Sequence, residues 1–283
     1  MTSKRTSPAV VANNWITHGL LIVFVVLAIG PILVVIMNSF KTTQGIFLSP
    51  FLPPTAETFN LQGYENVFKR GEFFLNYQNS IVVTVSTTVL TILLATLAAW
   101  ALTEYKVRIA PLLAGFFIIG IMLPIRLGTV PILQTMISWG IIDTLLALIL
   151  VYTAMTLPLA VALMMTYFRS VPTELKEAAR IDGCSRFSAF LHVVLPLATP
   201  ALAACGVIMF IISWHELLIP LILNARPDVM TLPVVIASLV GDVHVFFNLM
   251  MAICLLALAP TVILVALLQR YIVEGLSAGA VKG

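Results

Sequence analysis

The sequence predicts an all-α integral membrane protein with six transmembrane helices, and three observations favour this fold class. The 283 residues are 60% hydrophobic and 10% charged, with a mean hydropathy of +1.09. In a soluble domain about a quarter of the residues are charged, so this chain lacks the polar residues to cover a water-facing surface. Long apolar stretches recur along the chain, and a polar segment, residues 167–196, interrupts them and indicates a docking element outside the membrane.

The apolar stretches are long enough to cross a bilayer, since a spanning helix needs about 20 apolar residues. The predicted spans are residues 16–38, 79–102, 111–131, 142–165, 197–221 and 246–269. Arg126 interrupts the third span, and Pro124 and Pro131 predict a kinked helix there. Segment 39–78 is rich in proline and predicts a long irregular loop with a short helix near Tyr64–Phe68.

The distribution of Lys and Arg predicts that both chain termini lie in the cytoplasm, because cytoplasmic loops carry the excess of basic residues. With the N-terminus inside, ten of the 15 basic residues fall on the inner side and five on the outer side. The inner residues are Lys4, Arg5, Lys106, Arg108, Arg169, Lys176, Arg180, Arg186, Arg270 and Lys282, and the outer ones are Lys41, Lys69, Arg70, Arg126 and Arg226. This orientation places segment 167–196 and the C-terminal tail 270–283 in the cytoplasm.

Segment 167–196 has the pattern of a helix, a tight turn and a second helix. Pro172 suits the first turn of a helix, and mostly helix-forming residues follow it. Gly183 suits the left-handed residue that ends a helix. One apolar stripe then marks the second helix, formed by Phe187, Phe190, Leu191 and Val194. By pattern alone, an interfacial amphipathic linker without a partner remains an alternative.

Glu177-Ala178-Ala179 is followed by three residues, Gly183, nine residues and Val193-Val194-Leu195-Pro196. This pattern resembles the EAA loop of the permease subunits of binding-protein-dependent ABC importers, which usually has Ile at the position of Val193. Other stretches are similar to the carbohydrate importers of the maltose type: 79–84, 124–131, 213–216, 231–233 and 269–276. The resemblance covers nearly the whole chain, residues 1–283, as one transmembrane domain.

The resemblance implies a transport subunit rather than an enzyme. In such permeases the EAA helix is a coupling helix held in a cleft of an ATP-binding subunit, and ATP-driven closure then produces alternating access. That coupling role falls here on Glu177, Ala178, Ala179, Gly183, Leu195 and Pro196. The implied partners are a second homologous permease, two ATP-binding subunits, an extracytoplasmic solute-binding protein and a carbohydrate, in a bacterial inner membrane. ATP and Mg would bind to the partner ATPase, and this chain would bind no cofactor and no nucleic acid.

Polar residues inside the predicted spans are candidates for the substrate pathway, because ionisable groups in a membrane are costly. Trp214, His215 and Glu216 lie in the fifth predicted span, and Arg126 lies near the outer end of the third. A polar cluster that pairs helices is an alternative role for residues 214–216. Pairing with Glu216, or reaching the membrane interface from a helix end, are alternative roles for Arg126. The three cysteines are far apart and predict neither a disulfide nor a metal site.

An ion-coupled secondary transporter of a small polar solute is the alternative function. Such carriers place acidic coupling sites near the middle of the membrane, and Glu216 is the acidic candidate here. The chain contains no GxxxxGK[ST] motif, so ATP hydrolysis by that motif would require another subunit. It also has no motif with the spacing of a hydrolase or metalloprotease site.

Overall fold

The computed structural model describes residues 8–69, 71–105, 108–240 and 247–280, and these residues are almost entirely helical. The helices are α1 Pro8–Ser39, α2 Thr43–Leu48, α3 Gln62–Lys69, α4 Gly71–Glu104, α5 Ala110–Met122, α6 Thr129–Ser138, α7 Leu145–Ser170, α8 Thr173–Ile181, α9 Arg186–Ala189, α10 Leu195–Leu197, α11 Thr199–Trp214, α12 Leu218–Leu223, α13 Leu232–Val240 and α14 Phe247–Ala280. Within these ranges β pairing is limited to an isolated bridge between Lys41 and Phe59. The all-α fold class is therefore confirmed.

Among the described residues, four helical stretches are long and apolar enough to cross a membrane. They are Thr17–Ser39, Glu72–Glu104, Leu145–Ser170 and Phe247–Tyr271. Two further stretches are bent pairs, Ala110–Met122 with Ile125–Ser138 at 87° and Arg186–Leu197 with Thr199–Trp214 at 74°. Six spans result when each bent pair counts once, in agreement with the sequence. The helix α14 continues through the segment 270–280 that the sequence marks as the start of a tail.

The third and fifth spans differ from their predicted bounds. The third has its break at Pro124, as predicted, but helix α6 carries it beyond residue 131 to Ser138. The fifth, predicted over 197–221, is interrupted where α11 ends at Trp214 and residues 215–217 leave the helix. Apolar residues continue on both sides of this interruption, so hydropathy does not reveal it.

Segment 39–78 is more ordered than the predicted irregular loop. It contains α2 and α3, and α4 already begins at Gly71 rather than near residue 79. Lys41 is fully buried, and its Nζ donates hydrogen bonds of 2.6 Å to the carbonyl oxygens of Ser49 and Leu52. Burial lowers the pKa of Lys41 from its ordinary value. Segment 39–78 thus folds around the buried Lys41 amine, which donates hydrogen bonds to backbone carbonyl oxygens of the same segment.

The chain divides into two compact units, Met1–Arg70 with Leu239–Ala257 and Gly71–Ser238 with Leu258–Gly283. In the first unit, α3 packs closely on the start of α14. A Cβ atom added to Gly63 would lie 2.6 Å from the backbone oxygen of Asn248. Only a residue without a side chain permits this approach.

The second unit has a core built on close packing of α4 and α7. The small residues Ala95, Ala99 and Ala160 are fully buried, and small side chains allow membrane helices to approach closely. A buried hydrogen bond of 2.9 Å joins the hydroxyl oxygens of Thr91 and Thr156 across the two helices. This core holds the ends of α4 and α7 against the EAA segment.

Candidate coupling loop and substrate pathway

The EAA segment forms the predicted helix, tight turn and second helix. Pro172 immediately precedes α8 as its N-cap residue. Gly183 has a φ of +86°, its N–H donates to the Arg180 oxygen at 3.1 Å, and the Cys184 N–H donates to the Ala179 oxygen at 2.9 Å. Those two bonds are the Schellman arrangement, which satisfies the last carbonyls of a helix. The predicted left-handed glycine is confirmed.

The EAA residues lie on two faces of α8. Glu177 and Ala178 are exposed, whereas Ala179 is buried. Ile181 follows Glu177 by four residues, so the two share a face, and its side chain is 86% exposed. Space beside Gly183 is also open, since an added Cβ would meet no atom within 4 Å. We call Glu177, Ala178, Ile181 and Gly183 the outer face of the loop.

The opposite face of α8 is joined to the end of α4 by ion pairs. Lys176 Nζ lies 3.6 Å from Glu104 Oε2, and the Arg180 guanidinium also donates to Glu104 Oε1. Lys176 further lies 5.6 Å from the centroid of the Trp100 ring, within range of a cation–π interaction. Sequence reasoning missed Glu104 because no local pattern pairs a residue with others more than 70 positions away.

Three buried aromatic rings support the loop from the membrane side. Trp100 stacks on Phe190 at 5.2 Å, and Phe168 meets the edge of Trp100 at 5.9 Å. Phe190 begins a π turn, Phe190–Val194, which takes one residue more per hydrogen-bonded turn than an α-helix. As a result the predicted stripe is split: Phe190 and Val194 are buried, whereas Phe187 is 52% exposed and Leu191 40% exposed.

Leu195 and Pro196 begin the short helix α10 directly after this π turn. Leu195 is half-buried and packs against the core of the second unit, while Pro196 is exposed. The chain then bends by 74° before α11. These two residues therefore connect the EAA loop to the fifth span through a sharp bend.

The substrate-pathway candidates Trp214 and His215 have different surroundings. Trp214 is 3% exposed, stacks on Phe210 at 5.7 Å and meets Tyr77 edge-on at 5.8 Å. His215 is exposed at the end of α11, and its Nδ1 lies 2.9 Å from the Ile211 carbonyl oxygen. The indole is thus part of an aromatic stack, and the imidazole lies at the helix break.

Glu216 lies in the same break, two residues before α12 begins at Leu218. Its Oε1 accepts hydrogen bonds from the backbone N–H groups of Leu218 at 2.9 Å and Ile219 at 3.3 Å, which caps α12. The carboxylate also borders a narrow cleft lined by Ser80, Val83, Thr84, Tyr152, Ser213, Trp214, Thr231 and Pro233. The cleft has no room for a water molecule in this conformation, so it is closed to a sugar.

The walls of this cleft carry hydroxyl groups. Ser213 and Thr231 are buried, and their hydroxyl oxygens have no hydrogen-bond partner within the described part of the chain. If the cleft widens, hydroxyls of this kind can bind ordered water or the hydroxyls of a solute. The cleft therefore has the chemistry, though not the width, of a site for a polar uncharged molecule.

Two stretches that carry the sequence resemblance meet at this cleft. The Asn79 side chain donates hydrogen bonds to the backbone oxygens of Asp228 at 2.9 Å and Met230 at 3.0 Å. The Ser80 hydroxyl accepts a 2.7 Å bond from the Leu232 N–H. An amide donor followed by a hydroxyl in the third turn of α4 thus fixes the backbone that leads into α13.

Arg126 forms no ion pair with the residues that line the cleft. It is exposed, in a 3₁₀ turn at the 87° bend between α5 and α6. Arg126 forms no ion pair with another residue that the structure describes, so the pairing with Glu216 is not observed. The described residues also contain no group of three or more His, Cys, Asp or Glu side chains that could hold a metal ion.

Residues 91–278 match the protein family described as the inner membrane component of binding-protein-dependent transport systems. The inner membrane ABC transporter permease YcjP of Escherichia coli is 34% identical, over 93% of this chain and 94% of its own. The sulfoquinovosyl glycerol permease SmoH of Agrobacterium fabrum is 32% identical, over 89% of this chain and 88% of its own. The trehalose permease SugB of Mycobacterium tuberculosis is 33% identical, over 90% of this chain and 93% of its own.

The fold also matches a solved structure. A chain of a bacterial ABC transporter that imports the acidic polysaccharide alginate superposes with a TM-score of 0.79. The match covers 95% of this chain and 99% of that chain, at 21% sequence identity. The helical architecture described above is therefore shared with that chain.

Proposed function

Because the chain belongs to the family of inner membrane components of binding-protein-dependent transport systems, we propose that it forms half of an alternating-access pathway for a carbohydrate. The chain is a multi-pass inner membrane protein and a permease of an ABC importer, a transport component rather than an enzyme. The proposal adds three points: the substrate class, the coupling to a separate ATPase, and the conformational cycle.

The outer face of the EAA loop carries the proposed coupling. A short polar helix that exposes Glu177, Ala178 and Ile181 beside an open turn at Gly183 offers a compact surface for a cleft in another protein. That protein is an ATP-binding subunit in this proposal, and ATP and Mg bind there. Closure of two such subunits moves the loop as a unit, and Leu195 and Pro196 transmit the movement to the fifth span.

A carbohydrate substrate is supported by the relatives and by the hydroxyl-lined cleft. Similar permeases are named for the transport of sulfoquinovosyl glycerol, diacetylchitobiose, arabinooligosaccharides and trehalose, all sugars or sugar derivatives. In the outward- or inward-open state, the break at His215 and Glu216 lines the pathway, Trp214 supports it, and Arg126 lies at the bend of the third span. The cleft between α4, α7 and α11 widens in that state.

The assembled transporter contains partners beyond this chain. A second homologous permease supplies the other half of the pathway, two ATP-binding subunits drive it, and an extracytoplasmic solute-binding protein delivers the sugar. The excess of basic residues in the EAA segment and at the termini supports a cytoplasmic position for both. In this proposal the C-terminal tail 270–283, of which residues 281–283 lie outside the described part of the chain, reaches the ATP-binding subunits.

Uptake by reconstituted vesicles tests the proposed function. Vesicles that hold this chain with its partners are supplied with labelled sugars, with and without ATP and the binding protein. We expect uptake that requires both. Uptake driven by an ion gradient without ATP would refute the proposal and favour a secondary transporter.

Substitution of Glu216 tests the pathway separately. Glu216→Gln keeps an acceptor oxygen for the amides of Leu218 and Ile219, whereas Glu216→Leu removes the cap. We expect both variants to lower uptake, because the pathway uses the carboxylate. Full uptake by Glu216→Gln with loss in Glu216→Leu would assign Glu216 to helix capping alone.

A further inference from the structure

Glu104 is the last residue of α4 and faces two cations on α8. The carboxylate is 11% exposed and lies between Lys176, whose side chain is 14% exposed, and Arg180, whose side chain is 42% exposed. Lys176 and Arg180 are four residues apart and therefore share one face of α8. One carboxylate thus holds two positions of the EAA helix.

The cations belong to the face of α8 that points away from its outer face. Ala178 and Ile181 are exposed on the other side, so a partner can bind there while the largely buried Lys176 keeps its ion pair with Glu104. Lys176 is additionally fixed by Trp100 at 5.6 Å and by the Phe168 carbonyl oxygen at 3.4 Å. The Glu104 carboxylate is therefore part of a small network of ion pairs and aromatic contacts on the face of α8 that is turned away from the outer face.

Helix α4 extends from this network to the hydroxyl-lined cleft. It is 34 residues long and runs without interruption from Gly71 to Glu104. Ser80 on the cleft wall lies 24 residues before Glu104, a distance of about 36 Å along an α-helix at 1.5 Å per residue. A displacement of its Glu104 end is thus carried to the cleft by one continuous helix.

We infer that Glu104 is a positioning residue that links the EAA helix to α4, so that movement of α8 by an ATP-binding subunit is passed along α4 to the substrate pathway. The inference rests on the proposed function and adds a second route of coupling beside the bend at Leu195 and Pro196. Ion pairs that are partly buried depend strongly on both partners, since loss of one leaves the other charges uncompensated. Removal of this single carboxylate therefore affects both cations.

The test compares Glu104→Gln with wild type in the reconstituted transporter, including ATP-binding subunits and binding protein. The readout is sugar imported per ATP hydrolysed, measured on equal amounts of assembled complex. We expect Glu104→Gln to lower this ratio about five- to tenfold, the range of a modest coupling free energy. Glu65→Gln is the matched control, because it removes an ion pair with Lys69 whose side chains are 61% and 74% exposed, and it leaves the ratio unchanged.

Two single substitutions on α8 complete the experiment. Lys176→Gln and Arg180→Gln each remove one cation. If Glu104→Gln does not assemble, the amount of sugar imported per ATP is compared between these two variants and wild type. Since both act through the same carboxylate, the double variant Glu104→Gln with Arg180→Gln should lose no more than Glu104→Gln alone. Additive losses in the amount of sugar imported per ATP would show that Arg180 does not act through Glu104, and they would overturn the inference.

The outcomes separate this inference from the proposed function. A wild-type transporter without ATP-dependent uptake refutes the proposed function itself. Normal ATP-dependent uptake with an unchanged transport ratio in assembled Glu104→Gln refutes the inference alone. Lower thermal stability with an unchanged ratio assigns the ion pairs to folding only and likewise overturns it.

Discussion

Replacement of Gly183 by Ala isolates the backbone conformation of the EAA turn from every other effect. The φ of this residue is +86°, and an added Cβ would meet no atom within 4 Å. The cost therefore comes from the left-handed backbone alone, about 1–2 kcal/mol for a residue with a Cβ. We expect Gly183→Ala to lower the free energy of unfolding by this amount and to lower ATP-dependent uptake, because α8 and α9 lose their fixed angle.

Two other glycines serve as matched controls for this variant. Gly140 also has a positive φ, +68°, and open space around it, but it lies outside the EAA loop. Gly140→Ala should lose a similar free energy of unfolding and retain uptake. Gly115 is in α5, has open space and has no positive φ, so Gly115→Ala should not be destabilising.

The assays are denaturant unfolding in detergent and uptake in the reconstituted transporter. Gly183→Asn should be milder than Gly183→Ala, because Asn enters the left-handed region more readily than other residues with side chains. The reasoning fails if Asn and Ala cost the same, or if Gly183→Ala loses no stability. Equal loss of uptake in Gly140→Ala would show that uptake follows stability and not the turn.

Three further substitutions test local contacts. Gly63→Ala places a Cβ 2.6 Å from the Asn248 oxygen, so we expect a low yield of folded protein by size-exclusion chromatography, and a normal yield would contradict this packing. Lys41→Met removes the buried amine that donates to the Ser49 and Leu52 carbonyl oxygens and should cost about 1–3 kcal/mol in unfolding experiments. Since burial lowers the pKa of Lys41, the folded state binds fewer protons than the unfolded state, and wild-type stability relative to Lys41→Met should rise as pH approaches 10.5. Asn79→Ala loses both bonds to the backbone before α13 and should increase proteolysis of segment 225–231, while unchanged protection would refute that anchoring role.

The sequence predicts features of this fold that depend on local composition or local backbone conformation. Hydropathy locates six spans because each needs a long apolar stretch, and Gly183 is predictable because a helix end favours a residue that adopts a positive φ. Pro124 likewise marks the break in the third span. Each of these signals lies within a short window of the chain.

Features that depend on distant residues were not predictable in this way. Glu104 lies 72 positions before Lys176, and nothing local to either residue indicates their contact. The interruption at residues 215–217 lies between two apolar runs, and the capping role of Glu216 appears only when its carboxylate is placed beside two amides. Burial of Trp214 depends on Tyr77, which comes from another helix.

Ala178 and Ala179 are neighbours in the EAA motif, but we expect their side chains to be constrained by different proteins. Ala178 is exposed, and Ala179 is 5% exposed within its own chain. Among related transporters, residue 178 should therefore covary with the ATP-binding subunit, and residue 179 with core positions of the permease. An exchange of ATP-binding subunits between two such transporters should then require compensating changes at residue 178 and none at residue 179.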